Sequence, residues 1–170
     1  SPTNLLHALN DLDIEWMKVK VMLLDERLVD ERNEHSNQRY LRENFFKNHS
    51  KNAIYKSIRD LKIEQNIDLA ILGFGSDGHF ASIFPCHLYE KEFIDLNEEP
   101  KILKTTKMGN PCVARLTMNL SAFLRVKNIF IIINSNKKLD TFHEAKDNKN
   151  LPIYHLLNLE NINIEVIKDF

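Results

Sequence analysis

Residues 67–85 read IDLAILGFGSDGHFASIFP, and this stretch predicts both the fold and the position of a functional site. Its first six residues form a short, mostly apolar run, which predicts a strand buried on both faces of a sheet. Three of the four glycines in the protein follow that run: Gly73, Gly75 and Gly78. Glycine permits tight turns and close approach of the backbone to a ligand. Asp77 and His79 lie within this turn, and in open α/β sheets ligands bind beyond the carboxyl ends of the strands.

The glycine spacing alone leaves two interpretations open. The Lys-Ser/Thr pair of a nucleotide-binding P-loop is missing, because His79 follows Gly78 instead. Asp and Gly also dominate ordinary turns, so a turn stabilised by Asp77 is the alternative to a ligand site. Ser76 and Ser82 lie close to the histidine, but the nucleophile-elbow pattern GxSxG is absent. From these residues alone, the stretch is either a ligand site or a structural turn.

Three motifs of this chain resemble the 6-phosphogluconolactonases and, less closely, the glucosamine-6-phosphate deaminases, which share the same ancestral fold. The first motif is GFGSDGHFASIFP at residues 73–85. The second is DERLV at residues 25–29 with SN at residues 36–37, which is similar to DERxV…SN. The third is RLT at residues 115–117, followed by an apolar strand and Lys138. Because the three motifs occur in the family's order, the resemblance covers essentially the whole chain.

The resemblance implies hydrolysis of 6-phospho-D-glucono-1,5-lactone to 6-phospho-D-gluconate in the oxidative pentose phosphate pathway. Lactone hydrolysis needs an activated water, stabilisation of the oxyanion and a proton for the departing ring oxygen. His79 is the expected base, because an imidazole accepts a proton near neutral pH. Asp77 is expected either to orient or charge-stabilise that imidazole or to hold the turn, and the spacing does not decide between these roles. Arg27 is assigned to the oxyanion or to substrate orientation, and Asp25 to bracing Arg27 and its loop.

The phosphate of such a substrate needs its own binding groups. Arg115 and Lys138 are the candidates by motif, since both side chains form charge-assisted hydrogen bonds to phosphate oxygens. An ordinary surface charge is the alternative for both. The glycine that commonly precedes this lysine in the family is missing, so Lys137 and Lys138 both stay candidates for facing the phosphate. The other expected substrate-binding residues belong to the glycine turn and to a phosphate loop: Gly73, Gly75, Gly78 and Ser1.

Helical and strand patterns alternate along the chain, which predicts an α/β fold. The expected architecture is a three-layer sandwich with a mostly parallel, Rossmann-like sheet in a single domain, residues 1–170. Strands are predicted at residues 18–24, 67–72, 101–106, 114–118, 128–133 and 162–167. Helices are predicted at the amino-terminal residues and at 36–46, 52–65, 137–145 and 152–157, with a polar, irregular segment after residue 85.

The first residues suggest that the native amino-terminal portion is missing. Ser1 and Pro2 can start a helix, with proline at the first helical position. In the resembled family, a strand and a Gly-Gly-Ser/Thr-x-Pro phosphate loop come before this helix, and Ser1-Pro2 matches the end of that loop. We therefore expect that a first strand and part of the phosphate site are absent from this sequence.

Two other functions are kept as alternatives. The deaminase branch has DGHIAFNEP where this chain has DGHFASIFP at residues 77–85, so the deaminase carboxylate has no counterpart here. Arg27 also replaces the tyrosine of the early deaminase motif. A non-catalytic sugar-phosphate-binding module on the same fold is the second alternative, because fold alone does not establish activity. The presence of His79 together with Asp77 and Arg27 argues against it.

The composition favours a small-molecule partner. A formal net charge of -1 over 170 residues, with both signs well mixed, gives no field for nucleic acid or a membrane surface. A sugar-phosphate lactone is therefore the expected partner, and the chain is expected to be a cytoplasmic monomer or homodimer, since no span or leader pattern is present. Cys86 and Cys112 lack CxxC spacing, which favours buried thiols in a reducing compartment, with a disulfide as the alternative. Cys86 and His87 alone make a weak zinc site, so no metal and no cofactor are expected.

Overall fold

The computed structural model describes residues 3–63 and 66–168. This part of the chain contains five α-helices: α1 Thr3–Asn10, α2 Asn37–Asn44, α3 Lys91–Ile94, α4 Asn136–Glu144 and α5 Pro152–Leu157. It also contains eight strands: β1 Lys20–Met22, β2 Asp25–Arg27, β3 Ile54–Lys56, β4 Ile67–Leu72, β5 Ile102–Lys104, β6 Arg115–Met118, β7 Val126–Ile133 and β8 Asn163–Lys168. Short 3₁₀ helices lie at Trp16–Lys18, Ser50–Asn52, Pro85–Tyr89 and Leu120–Arg125. None of the helices in the described ranges is long and apolar enough to cross a membrane.

The strands pair in three small sheets, with the orders β1-β3, β2-β6-β5 and β4-β7-β8. The pairs β1 with β3, β4 with β7, and β7 with β8 all run parallel. Strand β7 lies between two neighbours, and Ile129, Ile131 and Ile133 on it are fully buried. A long run of β-branched residues suits such a central strand, because both of its faces are covered. The predicted α/β fold with mostly parallel pairing is confirmed.

The chain divides into two compact units. Unit 1 consists of the described residues within Lys62–Leu103 and Thr117–Phe170, and unit 2 consists of those within Pro2–Leu61 and Lys104–Leu116. In unit 1, Phe80 and Phe123 pack edge to face with ring centroids 5.4 Å apart. In unit 2, Trp16 and Phe45 pack in the same way at 5.6 Å. Each unit therefore has its own aromatic core contact, and the assignment of the whole chain to one domain stays a prediction.

The helix predicted at residues 52–65 is wrong. Residues 54–56 instead form β3, which pairs with β1, and the Ile54 N–H donates a hydrogen bond to the Val19 carbonyl at 2.9 Å. Ile54 is 41% exposed whereas Ile58 is 1% exposed, so the two do not share a buried helical face. Pairing with a neighbouring strand has overridden the local helical pattern. The segment between β3 and residue 63 contains a turn and no helix.

Two further expectations hold only in part. Strand β4 is buried in its second half, but Leu69 is 41% exposed, so the strand is not buried along both faces. The segment after residue 85 contains a 3₁₀ helix and α3, and His87 and Phe93 on them are buried. The helices predicted at 36–46, 137–145 and 152–157 are confirmed by α2, α4 and α5.

Candidate active site

The glycine turn of unit 1 follows β4 at the carboxyl edge of the β4-β7-β8 sheet. The Gly75 N–H donates to the His79 carbonyl at 2.8 Å, and the Gly78 N–H donates to the Gly75 carbonyl at 3.0 Å. The Gly78 carbonyl in turn accepts from the Ile153 N–H at the start of α5, at 2.9 Å. Residues 75–79 thus form a closed turn that is anchored to the first turn of a helix.

Asp77 binds the imidazole of His79 directly. Its Oδ1 lies 2.5 Å from Nδ1 of His79 and also accepts a hydrogen bond from the His79 backbone N–H at 3.3 Å. The carboxylate therefore contacts both the ring and the backbone of the turn, and its role in a reaction stays a prediction. A carboxylate only accepts, so the proton of the neutral imidazole lies on Nδ1 and Nε2 is the basic nitrogen. Nε2 makes no hydrogen bond with the described residues, and the His79 side chain is 31% exposed.

Gly75 makes room for that imidazole. A Cβ atom built at Gly75 would overlap Cε1 and Nδ1 of His79 and would lie 2.5 Å from Oδ1 of Asp77. A side chain at this position would displace either the ring or the carboxylate. Glycine is therefore needed at position 75 because the imidazole of His79 lies where a Cβ atom would be.

The other two glycines of the turn differ from Gly75 and from each other. Gly78 has a φ of +76°, and a Cβ there would lie 2.8 Å from the Leu151 Cβ, so both the backbone conformation and the packing require glycine. At Gly73 the nearest atoms to a built Cβ are Nζ of Lys138 and the Ile132 carbonyl oxygen, both at the ordinary contact distance of 3.9 Å. Neither the backbone conformation nor the packing requires glycine at position 73, and its role in substrate binding stays a prediction.

Lys138 lies beside the glycine turn, whereas Lys137 is exposed. Its Nζ is 5.9 Å from the centroid of the Phe74 ring, and it forms no ion pair with a carboxylate of the described residues. Burial lowers the pKa of Lys138 because the ammonium loses solvent there. The helix that carries it begins at Ser135, whose Oγ accepts from the Lys138 N–H at 3.3 Å. A half-buried cation at a helix amino terminus is a suitable partner for an anionic group.

In unit 2, two arginines lie near each other. Arg115 is 4% exposed, and its Nη2 donates to the Pro111 carbonyl at 3.2 Å. Burial lowers the pKa of Arg115, and the positive charge of Arg27 lowers it further. The Nη1 of Arg27 donates to the His35 carbonyl at 2.8 Å, while its buried Nε has no hydrogen-bond partner in the described part of the chain. Two neighbouring guanidinium groups repel each other, and a bound anion would offset that repulsion.

The carboxylate that holds this loop is Glu26, for which the sequence suggested no separate role. Glu26 is 2% exposed and accepts from the backbone N–H groups of Arg27 at 2.7 Å, Asn37 at 2.8 Å and Gln38 at 2.7 Å. It also accepts from the Ser36 hydroxyl at 3.0 Å. The first N–H groups of a helix have no partner within the helix, so Glu26 satisfies the start of α2. The sequence feature that could have indicated this role is the Ser36-Asn37 helix start that follows the DER residues.

Asp25 makes a different set of contacts. Its carbonyl oxygen and its Oδ1 accept from Nδ2 of Asn37 at 3.0 Å and 3.3 Å. Its negative charge acts on Arg115, where it raises the pKa and opposes the effect of Arg27. Asp25 therefore ties α2 to β2 and partly neutralises the arginine pair. The role of a brace for Arg27 stays a prediction.

The other residues considered from the sequence are two serines and two cysteines. Ser82 is fully buried and its backbone N–H donates to Oγ1 of Thr117 at 3.1 Å, which is unsuited to a nucleophile that must reach a substrate. Ser1 lies outside the described residues. Cys86 and Cys112 are both free and exposed, so the expectation that these thiols are buried is wrong. Among residues 3–63 and 66–168, no three histidine, cysteine, aspartate or glutamate side chains are grouped to hold a metal ion.

Comparisons with known proteins agree with the three motifs. A family model described as "Glucosamine-6-phosphate isomerases/6-phosphogluconolactonase" matches residues 1–62 and 50–163. The chain is 31% identical over 183 residues to a 6-phosphogluconolactonase of Helicobacter pylori, a match that covers 98% of this chain and 78% of that protein. It is 30% identical over 185 residues to a 6-phosphogluconolactonase of Neisseria meningitidis, with coverage of 98% and 80%.

Solved structures give the same result for the fold. The crystal structure of a 6-phosphogluconolactonase from Shewanella baltica superposes with a TM-score of 0.84 at 25% identity, covering 98% of this chain and 78% of that one. The crystal structure of 6-phosphogluconolactonase from Thermotoga maritima superposes with a TM-score of 0.76 at 26% identity, covering 99% and 81%.

Proposed function

The chain belongs to the glucosamine-6-phosphate isomerase/6-phosphogluconolactonase family, and we propose that it hydrolyses 6-phospho-D-glucono-1,5-lactone to 6-phospho-D-gluconate. The observation that carries this proposal is the state of His79. Its Nδ1 is held by Asp77 at 2.5 Å, and its Nε2 has no partner among the described residues. A partly exposed imidazole with one nitrogen fixed and the other available is suited to activate water. The relatives named 6-phosphogluconolactonase supply the substrate class.

In the proposed reaction, Nε2 of His79 takes a proton from a water molecule whose oxygen attacks the lactone carbonyl carbon. The carbonyl oxygen becomes an oxyanion, and the tetrahedral intermediate collapses by breaking the bond between C1 and the ring oxygen. The proton on His79 then passes to that ring oxygen, which leaves as the 5-hydroxyl group, and the product acid releases a proton to solvent. Asp77, which is hydrogen-bonded to Nδ1, stabilises the imidazolium that forms during the reaction.

The cationic side chains are assigned to the anionic parts of the substrate. We assign Lys138 and Arg115 to the phosphate, because each is withdrawn from solvent and burial lowers its pKa. A bound phosphate would replace the favourable interaction with water that each buried cation has lost. Arg27 is assigned to the developing oxyanion or to orienting the substrate, since its Nε has no hydrogen-bond partner in the described part of the chain. Glu26 and Asp25 hold the loop that carries it.

The proposal also includes the cellular location, the pathway and the oligomeric state of the enzyme. A cytoplasmic location suits the two free and exposed thiols, Cys86 and Cys112. We propose a step of the oxidative pentose phosphate pathway, carried out by a monomer or homodimer that needs a small sugar-phosphate lactone and no nucleic acid. Size-exclusion chromatography with light scattering measures the oligomeric state directly.

The test compares the substrates of the two branches of the family. Acid release from 6-phosphogluconolactone is followed at constant pH against its spontaneous background, and ammonia release is followed from glucosamine 6-phosphate. We expect acid release in proportion to protein concentration and no ammonia. Ammonia release would assign the chain to the deaminase branch. Binding of both compounds without turnover of either would make it a sugar-phosphate-binding module.

A further inference from the structure

The ring of Phe84 covers one face of the His79 imidazole. The two ring centroids are 4.5 Å apart and the planes are inclined by 24°, which is a stacked arrangement. Phe84 is 7% exposed, so its ring is part of the packed interior of unit 1. Such aromatic pairs contribute about 0.5–1.5 kcal/mol beyond the area that they bury.

This stack supplies a restraint that the other two contacts of the imidazole do not. The hydrogen bond to Asp77 fixes one atom of the ring, Nδ1, but leaves the plane free to tilt about it. Gly75 admits the Cε1 and Nδ1 edge of the ring. The phenyl face, inclined by 24° to the imidazole, restrains the remaining tilt and with it the direction of the lone pair on Nε2.

Phe84 is itself held at both of its backbone groups by one residue, His87. The Phe84 N–H donates to Nδ1 of His87 at 3.0 Å, and the Phe84 carbonyl accepts from the His87 N–H at 2.9 Å. The His87 ring is 2% exposed and stacks on Phe93 with centroids 4.0 Å apart and planes inclined by 4°. The backbone of Phe84 is therefore held by hydrogen bonds to a buried residue.

The protonation state of His87 is consistent with that support. Its Nδ1 accepts a hydrogen bond, so that nitrogen carries no proton and the ring is neutral. Burial lowers the pKa of His87, which favours the neutral ring, while the negative charge of Glu90 partly opposes this. The two hydrogen bonds of His87 to the Phe84 backbone thus account for a histidine that is buried and neutral.

We propose that Phe84 is a positioning residue for the His79 imidazole and that His87, through its two hydrogen bonds, holds Phe84 in place. The proposal rests on the proposed function, because it assigns a role in the same site. The phenyl ring of Phe84 has no group that can give or take a proton, so it acts by keeping Nε2 aligned for proton transfer.

The kinetic test compares Phe84→Leu with Phe123→Leu. Both remove a buried phenyl ring of unit 1, but only the first removes a ring that stacks on His79. We expect Phe84→Leu to lower kcat by roughly tenfold to a hundredfold, the range expected for a small misplacement of a catalytic group, with little change in KM. Phe84→Tyr keeps the ring face and should restore most of kcat. A fall in kcat no larger than that of Phe123→Leu would overturn the proposal.

A spectroscopic test needs no activity and is done on the free, wild-type protein. The imidazole protons of His79 lie over the face of a phenyl ring, so their NMR signals should be shifted upfield relative to those of the exposed His7 and His49. Phe84→Leu should remove that shift, and His87→Leu should reduce it. Wild-type His79 signals that match those of exposed histidines would contradict the proposal. If the protein fails to hydrolyse the lactone, the proposed function fails, while the NMR result still decides the role of Phe84.

Discussion

The glycine turn of unit 1 and the DER loop of unit 2 each carry candidate functional residues, yet each arranges its own charges differently. In the turn, the carboxylate of Asp77 binds an imidazole, so the region presents an oriented base. In the loop, the carboxylate of Glu26 is occupied by backbone N–H groups, and the positive charge of Arg27 lies near that of Arg115, so the two repel each other. Substitutions in the turn should therefore change turnover, whereas those in the loop should change the binding of anions.

The sharpest test of the turn is His79→Gln, for which we expect the largest effect. Removing a general base typically lowers kcat by roughly 10²–10⁴-fold, and KM should stay nearly constant because the arginines and Lys138 are untouched. Steady-state kinetics with 6-phosphogluconolactone measures both. His7→Gln, an exposed histidine of unit 2, is the control. A matching rise in KM would show that His79 also binds the substrate, and the division between the two regions would fail.

The corresponding test of the loop is Arg115→Gln. Losing a charge-assisted hydrogen bond costs about 1.5–3 kcal/mol, so KM should rise by roughly tenfold to a hundredfold while kcat changes far less. Lys104→Gln removes an exposed cation of the same unit and should leave KM unchanged. Inorganic phosphate should protect the wild-type protein against thermal unfolding more than it protects Arg115→Gln. A loss of kcat alone would contradict the assignment to binding.

Gly75 and Gly78 lie in the same turn, but a side chain at each position would meet different atoms. Gly75→Ala places a methyl group against the His79 ring, so we expect kcat to fall by about tenfold with a small change in thermal stability. Gly78→Ala forces a left-handed alanine against Leu151, so it should lower the free energy of unfolding by about 2 kcal/mol. Kinetics and thermal melts of both variants separate the two roles. Equal effects on stability would mean that Gly75 serves only the turn.

The smallest expected effect is a change in the pH dependence of stability. The pKa of His87 is lowered by burial from its ordinary value of 6.5, so the unfolded chain binds a proton at His87 before the folded chain does. This stabilisation is fully present above pH 6.5 and is lost as pH falls below 6.5 toward the folded-state pKa. His87→Asn keeps an acceptor for the Phe84 N–H without a titratable ring, so its denaturation midpoint should vary less with pH in that range. An unchanged slope, equal to that of the exposed His49→Asn, would contradict the buried neutral state.

Local signals account for what the sequence predicts well. The apolar run of β7 and the glycine cluster after β4 are short, continuous patterns, so the central strand and the position of His79 follow from them directly. The prediction of a helix at residues 52–65 was wrong because the spacing of Ile54 and Ile58 fits a helical face as well as a strand followed by a turn. Pairing with β1, which is distant in sequence, decided between the two.

The contacts that hold the site could not be predicted in the same way. Glu26 is one of three charged residues in a row, and its burial depends on the start of α2 eleven residues later. The stack of Phe84 on His79 depends on ring orientations, and the hydrogen bond from Phe84 to His87 depends on the tautomer of a buried ring. Residue types suggest which groups do chemistry, while tertiary packing decides how those groups are held.

The most direct test of the central claim is the initial rate of acid release from 6-phosphogluconolactone with increasing amounts of the wild-type chain, run beside His79→Gln at equal concentrations. We expect a rate above the spontaneous background that rises in proportion to wild-type protein and nearly vanishes in the variant. A wild-type rate equal to background would contradict the lactonase assignment. Equal acceleration by both proteins would show that the base is not His79.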